Sequence, residues 1–194
     1  MMNFRAVMPN FALGRTVRRA IYVVIEYLQG FLALALFAYL AFGRGPTTDE
    51  QFVAAFKICG AVALIELVAL LARTAPANRL IIGANLWLIA GSIAAILEQW
   101  WFLRIYQHFG EASLFFVMLC VGIVATAVSS AGFVGKQGQR DKVLRASVML
   151  VGAVAVALLA AIYFRGNVKF AAVLPVIVLS WLGRLLRRTV PNGA

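Results

Sequence analysis

The chain has 194 residues, 63% hydrophobic and only 13% charged, with a formal charge of +11. Soluble domains carry about 25% charged residues, so this composition excludes a water-soluble globule. The mean hydropathy of +0.92 comes from repeated apolar runs of roughly 20 residues, the length that crosses about 30 Å of hydrocarbon at about 1.5 Å per residue.

The first run, 20–42, follows a basic segment at 1–19 and carries Glu26, with Gln29 and Gly30 next to it. It is too long, and its basic preface too extended, for a removable signal peptide, so it is expected to stay as a first helix. The second run, 52–72, contains Lys57, Cys59 and Glu66; the third, 80–103, contains Asn85 and Glu98. At the end of the third lies an aromatic and basic cluster of Trp100, Trp101, Arg104 and His108, composed like an interfacial anchoring belt. The fourth run, 112–134, holds Cys120 and then Thr126, Ser129, Ser130 and Gly132, small residues that let helices approach closely. The fifth and sixth, 143–164 and 168–186, are followed by a basic tail at 187–194, and Pro175 is expected to kink the sixth. The connections are too short to form a separate soluble domain. The expected fold is therefore all-α: one polytopic membrane domain over 1–194, a bundle of six transmembrane helices.

The basic residues alternate in side. With a cytoplasmic N-terminus, that face receives Arg5, Arg15, Arg18, Arg19, Arg73, Arg79, Lys136, Arg140, Lys142, Arg145, Arg184, Arg187 and Arg188, whereas the opposite face receives Arg44, Arg104, Arg165 and Lys169. This obeys the positive-inside rule and predicts a bacterial-type inner membrane protein with both termini cytoplasmic. The same loops explain the basic charge through anionic lipid headgroups, and no nucleic-acid partner is expected because the basic segments lack interleaved stacking aromatics. A shift of 92 positions lays Gly60-Ala61-Val62-Ala63 on Gly152-Ala153-Val154-Ala155, Gly91 on Gly183 and Asp49 on Asp141. Three spans separate the partners, which is the pattern of two inverted three-helix repeats.

Ionisable groups within a membrane are costly, about 2.5–3.5 kcal/mol at mid-helix, and mark functional positions. Glu26, Glu66 and Asn85 fall at one expected depth and form the candidate proton or ion site. The structural alternative pairs each glutamate with an arginine on its own helix face, Glu66 with Arg73 and Glu26 with Arg19. Lys57 and Glu98 form a candidate ion pair near the opposite face. Because Lys57 and Glu66 point to opposite sides of the second helix, that helix is expected to be central. Neither a metal site nor a cofactor is expected, His108 being the lone histidine, and a Cys120/His108 nucleophile lacks any activating neighbour. The leading expectation is a noncatalytic transporter or channel-like protein for an ion or small solute. An accessory subunit beside a membrane protein partner, a homo-oligomer, and a membrane-embedded lipid-modifying enzyme are the alternatives.

Overall fold

The computed structural model describes residues 31–43, 48–72 and 78–191, and all regular structure among them is helical. The α-helices are α1 (Leu32–Phe42), α2 (Asp49–Leu71), α3 (Arg79–Ile96), α4 (Trp100–Phe109), α5 (Ala112–Val128), α6 (Arg140–Tyr163) and α7 (Leu174–Thr189), with a π-helical turn, Lys169–Val173, leading into α7. Among the described residues, four segments are long and apolar enough to cross a membrane: Asp49–Leu71, Arg79–Ile96, Arg140–Tyr163 and Lys169–Thr189. The helices α1 and α5 are apolar but shorter.

Local chemistry sets the helix starts. Thr48 and Gln51 close a capping box on α2, with the Thr48 hydroxyl accepting from the Gln51 amide at 3.3 Å and the Gln51 side chain accepting from the Thr48 amide at 3.5 Å. Asp49 and Glu50 add negative charge to that first turn, where the helix dipole favours it. Asn78 caps α3 by accepting from the Leu80 amide at 3.2 Å.

The surface suits hydrocarbon and not water. Ile65 is 71% exposed and Val128 82% exposed, and each such side chain left in water forgoes about 1.5–3 kcal/mol of burial energy. Inside, helices approach through small residues. A Cβ on Gly60 would lie 2.1 Å from Ser92 Cβ, and one on Gly91 would lie 2.2 Å from the Phe56 ring, so α2 and α3 meet closely because both positions lack a side chain.

Several expectations are corrected. The third run does not continue as one helix to residue 103. It ends at Ile96, Glu98 adopts φ 53°, and α4 begins as a separate helix at Trp100. The fourth ends at Val128 and not at 134, because Ser129 turns to extended backbone (φ −103°, ψ 135°), and the left-handed Gly132 (φ 56°) and Gly135 (φ 67°) carry the chain on through a buried loop. Only α3 is central: 61% of its apolar window is buried, against 28% for α2. The expectation of a central α2 rests on Lys57 and Glu66 needing protein or water on two faces of it; Glu66 meets protein, whereas Lys57 is exposed. Pro175 sits one residue into α7, directly after the π turn, whose Leu174 amide reaches back to the Lys169 carbonyl. The wider turn accommodates a residue that has no amide for the usual α-helical bond.

One end of the bundle gathers the start of α3, the loop after α5, the start of α6 and the end of α7. Arg79 donates to the Ala125 carbonyl at 3.2 Å, to the Gly132 carbonyl and to the Ser129 hydroxyl. Lys136 donates to the Arg187 and Val190 carbonyls, and Arg187 Nε donates to the Val134 carbonyl at 2.8 Å. The Asp49 end carries α4, which packs Leu103 and Tyr106 inward.

Candidate functional site

Glu66 reaches across from α2 to the beginning of α1. Phe31, just before α1, has φ −116° and ψ 12°, outside helical values, so the first amides of α1 have no intrahelical acceptor. Glu66 Oε1 accepts one of them, the Ala33 amide, at 3.1 Å. The carboxylate thus caps a neighbouring helix, an arrangement that both the exposed amides and the helix dipole favour. Its second oxygen is buried and has no hydrogen-bond partner.

Asn85 projects from α3 into the same place. It is 1% exposed, and its carboxamide interacts with the Glu66 carboxyl without reaching hydrogen-bond geometry. Both of its polar atoms, Nδ2 and Oδ1, are buried without partners. Three helices therefore enclose a carboxylate oxygen, an amide donor and an amide acceptor that have no hydrogen-bond partner among the described residues. Such a set can hold a proton or a dehydrated cation, because a protonated carboxyl donates to an amide oxygen and a cation takes both oxygens as ligands.

Above this site lies an aromatic cluster. Phe37 contacts Phe56 at 4.7 Å and Trp87 at 5.1 Å between ring centroids, and Trp87 contacts Tyr106 at 5.5 Å. The Trp87 indole donates to Ser113 Oγ at 2.9 Å, and that hydroxyl donates to the Gly110 carbonyl at 2.7 Å. Burial pushes the Tyr106 phenol up to about 12, so the cluster stays uncharged in the physiological range.

Of the sequence-predicted residues, Glu66 and Asn85 come together, while Glu26 lies outside the described residues, as does Arg73. Lys57 and Glu98 are both exposed, and among the described residues no ion pair joins them. Trp100, Trp101, Arg104 and His108 are exposed on α4, with the Trp101 indole donating to Gln99 Oε1 at 2.9 Å. Cys59 is buried and Cys120 exposed, and both are free thiols. The Ala33 amide was not foreseeable from sequence, since a backbone donor carries no residue signature. Gly132 packs closely against Val143 and Ser147 of α6, as a small residue allows, and Ser129 and Gly132 also receive Arg79, a role that their residue types do not signal. Comparison with protein-family models, curated proteins and solved structures gives no match, so the site is interpreted from its own geometry.

Proposed function

We propose that the protein is a small transporter or channel-like protein of a bacterial-type inner membrane, in which a proton or small cation passes through the Glu66–Asn85 site. In this reading all six apolar segments cross the bilayer, and the Arg79 end faces the cytoplasm. The observation that carries the proposal is the set of three buried, unpartnered atoms, Glu66 Oε2, Asn85 Nδ2 and Asn85 Oδ1. Each such atom costs about 1–3 kcal/mol, a penalty that a purely structural packing of α1, α2 and α3 would avoid with aliphatic side chains. A passing cation or proton supplies the missing partner.

The test is flux in liposomes. Glu66→Gln keeps an amide oxygen for the Ala33 amide but removes the charge, so it is expected to fold normally and to lose proton-coupled or cation flux by more than about tenfold. Wild-type flux in a folded Glu66→Gln protein removes Glu66 from the mechanism.

A further inference from the structure

A second feature lies at the Asp49 end, apart from Glu66. A cavity of about 560 Å³ opens between α1 and α7, two helices that do not pack along each other. That volume falls within the range of about 300–1,000 Å³ typical of small-molecule sites. Its floor is Phe37, Trp87 and Tyr106, and its flanks are aliphatic positions of α1 and α7. The polar groups collect at one mouth, where Asp49, Glu111 and Arg165 line it together. Gly166, next to Arg165, has φ 86° and open space where a Cβ would sit, and the π turn with Ala172 and Val173 borders the same cavity. π turns within helices occur frequently at functional sites.

Two properties identify the ligand. The apolar chamber faces the sides of α1 and α7, where its lining residues Ile177 and Val173 are 63% and 45% exposed; the occupant therefore enters from hydrocarbon and carries a chain. The mouth presents both signs of charge, so the head of that occupant carries both signs as well. An anionic head meets two carboxylates there, and a purely cationic one meets the guanidinium. We infer that the cavity binds one zwitterionic phospholipid, its acyl chain against Phe37 and Trp87, its phosphate at Arg165 and its ammonium at Asp49 and Glu111. Arginine suits phosphate through its forked donors, and the two carboxylates suit an ammonium. Lipid binding is measured without flux, so this inference and the transport reading fail separately.

The experiment reads Trp87 alone. Trp100, Trp101 and Trp181 are 52%, 63% and 64% exposed, and replacing all three with Phe leaves Trp87 as the sole tryptophan, held by Ser113. Phosphatidylethanolamine with brominated chains, added to phosphatidylglycerol vesicles holding the full chain, is expected to quench Trp87 at least twofold and to saturate near one lipid per protein. Brominated phosphatidylglycerol in the reverse mixture is expected to quench far less. Ala38→Phe with Ala172→Phe fills the chamber and is expected to abolish the quenching. If that variant does not fold, Glu111→Gln and Arg165→Gln at the mouth serve instead, with an expected tenfold weaker preference for the ethanolamine lipid. The inference is overturned if Trp87 is unquenched by either lipid, as when a second copy or another part of the chain fills the cavity. Equal quenching by the two lipids, the signature of ordinary bilayer chains, overturns it too.

Discussion

Glu66 divides its two carboxylate oxygens between different tasks. Capping the α1 amide offsets about 0.5–2 kcal/mol, less than the roughly 2.5–3.5 kcal/mol that an acidic residue costs at mid-membrane. A cap alone therefore does not account for the charge, and in the proposed reading the oxygen beside Asn85 supplies the remaining use. Asn85 tests the balance. Asn85→Leu removes two buried unpaired atoms and adds apolar contact, so it is expected to raise stability in detergent by about 1–3 kcal/mol while abolishing flux. Thermal unfolding followed by circular dichroism reads the first effect and liposome flux the second. A destabilised Asn85→Leu would show that the amide is satisfied within the folded protein, and the proposed site would lose its main support.

Helix packing here depends on missing side chains. Gly91→Ala places a methyl group 2.2 Å from the Phe56 ring, whereas Gly152→Ala meets nothing within 4 Å. The first is expected to destabilise by about 1–3 kcal/mol, and the second to stabilise by about 0.5–1 kcal/mol through helix propensity; thermal unfolding of the two variants side by side is the measurement. Arg79 acts at a helix start and governs a loop. Its three hydrogen bonds to Ala125, Gly132 and Ser129 hold the segment after α5, so Arg79→Gln is expected to speed amide hydrogen exchange across residues 129–138 by at least tenfold, while α2 exchanges as before. The second and fifth runs were legible in the sequence because long apolar runs with polar ends have one reading. The ends of the third and fourth were not. Leu97-Glu98-Gln99 and Ser129 to Gly135 sit among residues apolar enough to continue a helix, and the breaks lie in the backbone: Glu98 is left-handed and Ser129 extended, with left-handed Gly132 and Gly135 beyond it. Glu66 and Asn85 share an expected depth and lie side by side, while Glu26, the third member of that expected site, lies outside the described residues; depth alone could not give the rotation of each helix about its axis, and among the described residues no ion pair joins Lys57 and Glu98.

At the scale of the molecule, the basic side chains of the described residues concentrate at one end: Arg79, Lys136, Arg140, Lys142, Arg145, Arg184, Arg187 and Arg188 lie there with Asp141, whereas Asp49, Glu50, Glu98 and Glu111 lie toward the other with Arg104, Arg165 and Lys169. A cytoplasmic Arg79 end predicts that an impermeant maleimide on intact cells labels Asn167→Cys and spares Lys142→Cys, in a protein with Cys120 replaced by Ser; the opposite labelling reverses the proposed orientation. The 92-residue shift carries Asp49–Leu71 onto 141–163, almost the bounds of Arg140–Tyr163. Equivalent positions nevertheless differ in surroundings: Gly60 is pressed against Ser92, and Gly152 faces open space. Sequence self-similarity could indicate length and spacing but not which half encloses the polar site. The bond between Glu66 and the Ala33 amide has a mechanical consequence. Four residues further along α1, about 6 Å up the helix axis, Phe37 forms part of the cavity floor. In the proposed reading, a proton bound at residue 66 would weaken that bond, and the ring at position 37, one turn along the same helix, would shift with it, so the acid would act as the short arm of a lever whose long arm is a chamber wall.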